Sequence, residues 1–248
     1  MTLEQFFAEN PKVALAFSGG VDSAYLLYAA KTIGAEVRAY YVKTPFQPQF
    51  EYDDARNLAQ ELGADMTTVE VDVLADSAIT ANPDNRCYYC KKKLFSAIWE
   101  QAKYDGFPLV IDGTNASDDC ADRPGMRALS ELGVRSPLRE CNLSKTDIRR
   151  LSKEANLFTH DKPAYACLAT RIPTGTKITS DLLAKTERNE AFLMTLGFVD
   201  FRIRFLGSGA KLEIRQEQLP LLLAHREAII AKLKKDYTTV LLDLEVRQ

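Results

Sequence analysis

The stretch AFSGGVDSAYLL, residues 16–27, decides the fold, because it joins an apolar run to a helical pattern through two glycines. The run KVALAFS (12–18) is continuously apolar, as in a strand that is covered on both faces. After the glycines, apolar residues recur at helical spacing as far as Ile33, and Gly34 suits the position that follows a helix. The stretch therefore predicts a buried strand that turns sharply into a helix.

The same alternation of strand and helix continues through the first two thirds of the chain. LSKTDIRRLSKEA opens with a capping box, in which Ser144 is the N-cap and Asp147 the third helical residue. Such alternation is typical of an α/β fold, with a parallel sheet that has helices on both faces. Further strands are predicted at 36–42, 66–71 and 108–113, and further helices at 55–62, 91–103 and from residue 144 onward.

The pattern changes after about residue 171, where we expect a small α+β domain. The predicted domains are 1–171 and 172–248, with the PTGT turn (173–176) at the boundary. The later part predicts a long helix at 179–197, half-exposed strands at 201–206 and 210–214, a helix around 217–235 and a strand at 238–244.

Composition and charge set limits on the function. Apolar residues make up 46% and charged residues 27%, and the net charge of −2 creates no strong field that would attract nucleic acid or a membrane. No run approaches the roughly 20 apolar residues of a membrane span, and the acidic start MTLEQFFAENPK does not resemble a secretory signal. We expect a cytoplasmic protein with no nucleic-acid or membrane partner. Five cysteines favour metal or redox chemistry over a disulfide framework.

The SGGVDS turn has the chemistry of a polyphosphate site. Gly19 and Gly20 let the backbone approach a ligand, and the free N–H groups at a helix start favour negative charge. Ser18 and Ser23 add hydroxyl donors. Asp22 cannot attract phosphate, but beside a bound polyphosphate it would hold Mg²⁺. A tight turn with a serine N-cap is the structural alternative, and it explains neither the aspartate nor both hydroxyls.

The cysteines suggest a second kind of chemistry. Cys87 and Cys90, in NRCYYCKKKLF, can bind one metal or form a redox pair, and the alternative is two small residues at a helix start. Cys167, in YACLATRIPTGT, follows the α/β domain, whose loops gather around a ligand. Three cysteines without a fourth fit a [4Fe–4S] cluster with one open iron, whereas two histidines give a zinc site little support. Cys120 and Cys141 are interpreted as small buried residues that could compete as ligands.

Two polar segments are expected to join the phosphate site. DGTNASDDCADRPG follows the fourth predicted strand and offers Asp118, Asp122 and Arg123 for metal, ribose or phosphate. VRSPLREC and the following SK pair offer Arg135 and Lys145 to neutralise phosphate. Solvated surface charge is the alternative for both segments.

The motifs SGGVDS, CYYCKKKLF, GTNASDD, DRPG, RSPL and ACLATRIPTGT together resemble the LarE-type, ATP-dependent sulfur transferases of nickel-pincer nucleotide biosynthesis. SGGVDS is similar to the pyrophosphate loop (PP-loop) of the ATP pyrophosphatases, which implies that its serines, glycines and Asp22 hold pyrophosphate and Mg²⁺. The family adenylates a carboxylate of pyridinium-3,5-biscarboxylic acid mononucleotide with ATP. Sulfur then displaces AMP to give a thiocarboxylate.

The resemblance leaves two sulfur sources open. Some family members have only the cysteine that matches Cys167 and sacrifice its sulfur in a single turnover. Others also have the C-x-x-C motif and are thought to hold a [4Fe–4S] cluster that delivers sulfide. The presence of Cys87 and Cys90 implies the cluster type, with Cys167 as the third ligand, and sacrifice of Cys167 is the alternative.

The C-terminal part suggests how the substrate is held. Arg202 and Arg204 lie two apart on a predicted strand, so both point to one face and suit a mononucleotide phosphate. The alternative is the exposed face of an edge strand. The resemblance associates these arginines with substrate binding and Glu190 with a catalytic acidic position, beside the catalytic candidates Asp22 and Cys167. Arg171 is a further candidate for phosphate. The family tends to form trimers and hexamers, so we expect a homo-oligomer.

Two other classes of protein remain as alternatives. Another PP-loop adenylating enzyme, such as an amidotransferase-like synthetase or a tRNA thiolation enzyme, would share the loop. Ammonia-using synthetases need no set of three cysteines, and tRNA enzymes usually carry a basic surface. A non-enzymatic nucleotide or iron–sulfur protein would not need the loop's aspartate together with both serines.

Overall fold

The structure is a computed structural model that describes residues 1–118 and 124–245. The helices in chain order are α1 (Leu3–Glu9), α2 (Val21–Ile33), α3 (Gln49–Glu61), α4 (Ser77–Thr80), α5 (Arg86–Tyr104), α6 (Pro124–Glu131), α7 (Pro137–Glu140), α8 (Lys145–Glu154), α9 (Ser180–Thr195), α10 (Leu219–Ala224) and α11 (Arg226–Leu233). The strands are β1 (Lys12–Ala16), β2 (Glu36–Lys43), β3 (Met66–Glu70), β4 (Val110–Ile111), β5 (Arg202–Leu206), β6 (Gly209–Glu213) and β7 (Val240–Leu242).

The chain divides into two compact units. The first consists of Met1–Val73 and Asn85–Lys162, and the second of Leu74–Asp84 and the chain from Pro163 onward. This division differs from the expected boundary, because residues 163–171 pack with the second unit. The assignment of separate functions to the two parts stays a prediction.

The first unit is built on a parallel four-stranded sheet in the order β3-β2-β1-β4. The central strand β1 is covered on both faces, since Val13 and Leu15 join one apolar core and Ala14 joins another with Ile98 and Ala102 of α5. A strand buried in this way needs a continuous apolar sequence, which is the pattern that predicted it. The predicted α/β fold is confirmed.

Local signals at the helix ends are also confirmed. Helix α2 starts after Gly20 and ends at Gly34, whose φ of 90° is left-handed. Ser144 and Asp147 form both halves of the capping box at the start of α8. The Gly34 cap at the end of α2 and the capping box at the start of α8 satisfy backbone groups that these helix ends leave without intrahelical partners.

The second unit contains a three-stranded sheet in the order β5-β6-β7, in which β5 is antiparallel and β7 parallel to β6. Segment Leu74–Asp84 belongs to it through backbone bonds, from Gly175 N to Asn82 O at 2.8 Å and from Ile178 N to Thr80 O at 2.8 Å. The predicted α+β character of this region is confirmed.

The single helix predicted around 217–235 is wrong in its continuity. The chain forms α10 and α11, with His225 between them. Helix α10 buries no side chain, whereas α11 buries Ile229 and Leu233. No common apolar stripe holds the two segments in one helix.

Among the described helices, none is both long enough and apolar enough to cross a membrane.

Candidate functional site

A cavity of about 290 Å³ lies in the first unit, where the loops after β1 and β4 meet. The strand order reverses between these two strands, and ligands of open parallel sheets bind outside the carboxyl ends of the strands at such a point. The side chains that face the cavity include Ser18, Asp22, Ser23, Lys91, Phe95, Asp112, Thr114 and Asp118. The cavity lies where the sequence predicts a ligand site, at the end of β1, and the ligand itself stays a prediction.

The SGGVDS loop is fixed by its own hydrogen bonds. The hydroxyls of Ser18 and Ser23 lie 3.1 Å apart, Ser23 Oγ donates to Gly20 O at 3.1 Å, and Gly20 N donates to Ser18 Oγ at 3.3 Å. Gly19 has a φ of 72°, and a Cβ there would lie 2.8 Å from the Cβ of Ala55 in α3. The loop thus adopts a shape that needs glycine for both backbone conformation and space.

A second close approach forms the other side of the cavity. A Cβ on Gly113 would lie only 2.9 Å from the backbone N of Ser23. The segment after β4 therefore passes directly over the first turn of α2, where N–H groups lack intrahelical partners. Such a cradle of glycine backbone at a helix start fits a bound phosphate.

Asp22 is ion-paired at the edge of this cradle. Its Oδ2 accepts from Lys145 Nζ at 2.6 Å, and its Oδ1 accepts from Asn115 Nδ2 at 3.3 Å. Lys145 was expected to neutralise phosphate, and in the structure its amine contacts the aspartate. Asp118 also lines the cavity, and its Oδ2 accepts from Asn115 N at 3.0 Å. The carboxylates of Asp22 and Asp118 are the hard oxygen donors that suit Mg²⁺.

Asp112 is a cavity residue that the sequence analysis did not single out. Its carboxylate accepts from Thr114 Oγ1 and from Ser136 Oγ, each at 2.6 Å. The side chain is buried, so these bonds fix the segment that carries Gly113 over the loop. The signal was present in DGTN, where an aspartate precedes a hydroxyl two residues on.

Lys91 is the second residue that was missed. Its side chain lines the cavity, and its stem packs on Gly125, where a Cβ would lie 2.9 Å from Lys91 Cδ. In the described part of the chain, its amine forms no ion pair and meets Met126 Sδ at 4.0 Å. In the sequence, the lysine run after Cys90 and the glycine of DRPG are the features that could have indicated Lys91. The other DRPG candidates, Asp122 and Arg123, lie outside the described residues.

The cysteines occupy different surroundings. Cys87 is exposed and Cys90 half-buried, one turn apart near the start of α5. Cys141 packs against the apolar core, and burial raises the pKa of its thiol, which fits a packing role. Cys167 is half-buried in the second unit, and Cys120 lies outside the described residues. Among the described side chains, no group of three His, Cys, Asp or Glu is arranged to bind a metal. The three-cysteine cluster stays a prediction.

In the second unit, Arg171 and Glu190 form a buried ion pair. Arg171 Nε and Nη2 donate to the two carboxylate oxygens at 2.8 and 2.9 Å, and the side chains are 0% and 1% exposed. Burial opposes the charge of Arg171, but the hydrogen bond and charge of Glu190 raise its pKa. Glu190 also accepts from the Tyr165 hydroxyl and from Ile203 N at 2.9 Å. The catalytic role of Glu190 and the substrate contact of Arg171 stay predictions.

Arg202 and Arg204 lie two apart on β5, opposite Glu213 and Lys211 of β6. The Arg202 side chain is 5% exposed and donates to the carbonyls of Phe201 and Ala164. The Arg204 side chain is 37% exposed and donates to Glu213 Oε1 at 2.6 Å. Of the three arginines assigned to substrate, Arg204 is the most accessible.

Comparison with known proteins adds three relationships. The family model "Queuosine biosynthesis protein QueC" matches residues 12–92, which include the SGGVDS loop and the C-x-x-C motif. The chain is 34% identical, over 98% of its length and 89% of the relative's, to the pyridinium-3,5-bisthiocarboxylic acid mononucleotide synthase of Lactiplantibacillus plantarum. It is also 38% identical, over 88% of its length and 81% of the relative's, to an uncharacterized protein of Synechocystis sp..

More distant relatives modify tRNA. The chain is 26% identical to the tRNA-specific 2-thiouridylase MnmA 2 of Clostridium botulinum over 60% of its own length. It spans about half of that relative, 52%. The likeness to this group is therefore partial.

Proposed function

Because the chain belongs to the LarE family of pyridinium-3,5-bisthiocarboxylic acid mononucleotide synthases, we propose that it converts the carboxylates of pyridinium-3,5-biscarboxylic acid mononucleotide to thiocarboxylates. It is an ATP-dependent sulfurtransferase built on the PP-loop fold. The observation that carries the proposal is the cavity at the end of β1, where the loop serines, Asp22 and Lys91 converge.

The first half of the reaction is adenylation, which the cavity residues suit. A carboxylate oxygen of the substrate attacks the α-phosphorus of ATP, and the bond to the β-phosphate breaks to release pyrophosphate. The loop N–H groups and the hydroxyls of Ser18 and Ser23 donate to phosphate oxygens. Lys91 adds a positive charge toward the same oxygens, since it has no carboxylate partner in the described chain. Arg123 is a further phosphate candidate.

Asp22 and Asp118 would hold Mg²⁺, which neutralises the charge of the leaving pyrophosphate when bound. Asp22 is already oriented by Lys145 and Asn115. The Lys145 amine balances the charge of Asp22, and we propose that the same amine also helps to neutralise phosphate.

The second half replaces AMP with sulfur. A sulfur nucleophile attacks the carbonyl carbon of the acyl-adenylate, and the carbon–oxygen bond to AMP breaks. We propose that Cys87, Cys90 and Cys167 hold a [4Fe–4S] cluster, which supplies sulfide when bound. The one-turn spacing and accessibility of the first two thiols support this assignment. The alternative source is the sulfur of Cys167 itself, which would be consumed in one turnover.

Binding of the mononucleotide is assigned to the second unit. Arg204 is the best placed of the three arginines to contact its phosphate, because it is the most exposed. We propose that Arg171 and Arg202 assist by holding the segment that carries Cys167, and that Glu190 acts through its pair with Arg171. We also propose that the protein forms a trimer or hexamer. A cytoplasmic location and the absence of a nucleic-acid partner remain part of the proposal, and the net charge of −2 supports the latter.

The proposal is tested by pyrophosphate release with three acceptors in parallel: the pyridinium biscarboxylate mononucleotide, bulk tRNA, and ammonia with a simple carboxylic acid. We expect release that depends on the pyridinium compound and is lost in Asp22→Asn. Release that depends on tRNA would instead support the tRNA thiolation enzymes, to which the chain is partly similar. Absence of pyrophosphate release with all three acceptors would contradict the proposal that the protein is an adenylating enzyme.

A further inference from the structure

The segment that carries Cys167 is held by an unusual set of arginine contacts. Three backbone carbonyls in this segment each accept from a different arginine. Ala164 O accepts from Arg202 Nη2 at 2.8 Å, Ala166 O from Arg171 Nη1 at 2.9 Å, and Thr170 O from Arg204 Nη1 at 2.7 Å. Within the segment, Cys167 O accepts from Thr170 Oγ1 at 2.8 Å. Charge-assisted bonds of this kind are stronger than neutral ones, so the segment is firmly tied.

Two of these arginines, Arg171 and Arg204, are fixed in turn by carboxylates. Glu190 takes Arg171 in a bidentate pair that is almost fully buried, and Glu213 takes Arg204 at 2.6 Å. Glu190 lies on α9 and also accepts from the backbone N of Ile203 on β5. These hydrogen bonds therefore link the cysteine segment to α9 and β5 of the second unit.

Tyr165 contacts Glu190 and two of these arginines. Its hydroxyl donates to Glu190 Oε2, and its ring lies 4.7 Å from the guanidinium carbon of Arg171 and 5.4 Å from that of Arg202. A ring within about 6 Å of two guanidiniums gains cation–π attraction from both.

We propose that Tyr165 and Glu190 are positioning residues that set the conformation and accessibility of Cys167. On this assignment Glu190 does not contact substrate, since each of its oxygens is already bonded within the protein. Arg171 and Arg202 hold the cysteine segment from buried positions, whereas Arg204 bonds to Thr170 O and Glu213 and keeps a side chain that is 37% exposed. The catalytic importance of Cys167 itself rests on the proposed function, but the positioning does not.

The test is hydrogen–deuterium exchange of the full-length protein, as purified, without ATP or substrate. Tyr165→Phe removes the hydroxyl and keeps the ring. We expect peptides covering 164–170 to exchange about tenfold faster, since a hydrogen bond to a charged acceptor restrains local opening by about that factor. Tyr237→Phe is the matched control, because its hydroxyl is also buried in the second unit and bonds to none of these residues in the described structure. Unchanged exchange in Tyr165→Phe, or equal acceleration in the control, would overturn the proposal.

A second variant separates positioning from direct catalysis. Glu190→Gln keeps the shape of the side chain and removes its charge. A positioning role predicts faster exchange at 164–170 together with a lower kcat and an unchanged KM for ATP. Loss of kcat with exchange equal to that of the wild type would show direct chemistry by Glu190 and refute the assignment. Because the exchange measurement involves no reaction, it remains decisive even if the proposed substrate is wrong.

Discussion

Substitution of Gly19 by alanine tests the shape of the phosphate loop with a worked magnitude. The residue has a φ of 72°, which costs a non-glycine residue about 1–2 kcal/mol. The added Cβ would also lie 2.8 Å from Ala55 Cβ and 3.0 Å from its Cα. Backbone at that distance cannot turn aside as a flexible side chain can, and overpacking of this kind costs about 1–3 kcal/mol more. We therefore expect Gly19→Ala to lower the free energy of unfolding by about 2–5 kcal/mol.

Gly106→Ala is the matched control in the same unit. Gly106 has a similar φ of 77°, but a Cβ there meets nothing within 4 Å. Its expected loss is the conformational part alone, about 1–2 kcal/mol. Urea unfolding measures both losses, and calorimetric titration with α,β-methylene-ATP measures binding, which we expect to fail in Gly19→Ala and to persist in Gly106→Ala. Equal losses of stability would refute the steric argument, and normal binding by Gly19→Ala would refute the assignment of the loop to phosphate.

Three further predictions concern charge and metal. Lys91→Ala should raise the KM for ATP by about tenfold in pyrophosphate release, because a charge-assisted phosphate contact is lost. Lys92→Ala is the control, since Lys92 forms an exposed ion pair with Glu131, and it should leave the KM nearly unchanged. Equal KM values for the two variants would contradict the cavity role of Lys91. The hydrogen bond from Arg188 lowers the pKa of Asp236 to about 2. A carboxyl group whose pKa is lowered by folding stabilises the protein at pH values above its pKa in the unfolded chain. Asp236→Asn should therefore lower the free energy of unfolding by about 2 kcal/mol at neutral pH, and the difference from the wild type should vanish as the pH falls from about 4 to 2. A difference that stays constant with pH in urea unfolding would contradict this. We expect the wild type, purified without oxygen, to contain iron and acid-labile sulfide, and Cys87→Ser to lack both. A wild type without iron would count against the cluster.

The strand-and-helix order of the first unit was predictable because its signals are local. The apolar run of β1, the left-handed Gly34 and the Ser144 capping box each need only a few neighbouring residues. The turn at SGGVDS was predictable for the same reason, since its residues are contiguous. Its role in phosphate binding stays a prediction.

The rest of the site depends on residues that are distant in sequence. Lys91 and Gly125 come together only because α5 and α6 pack side by side. The pairing of Lys145 with Asp22 spans 123 positions. The SGGVDS motif marks Asp22 and the capped helix marks Lys145, but neither local sequence shows that the two side chains form a pair.

Tertiary packing also places Arg202 and Arg204 in surroundings that their local sequence does not indicate. Alternation in FRIRFL correctly places Arg202 and Arg204 on one strand, but it suggests two exposed guanidiniums. The carbonyls of residues 164–170 bury one of them and engage part of the other. Backbone carbonyls leave no sequence signature, so only the folded chain shows these ties.

The central claim is that ATP drives replacement of a carboxylate oxygen by sulfur. Mass spectrometry of the pyridinium mononucleotide after incubation with ATP, Mg²⁺ and sulfide tests it most directly. We expect a product in which oxygen has been exchanged for sulfur, formed with stoichiometric AMP and pyrophosphate, and in more than one copy per chain. An unchanged pyridinium biscarboxylate in a preparation that binds and consumes ATP would contradict it.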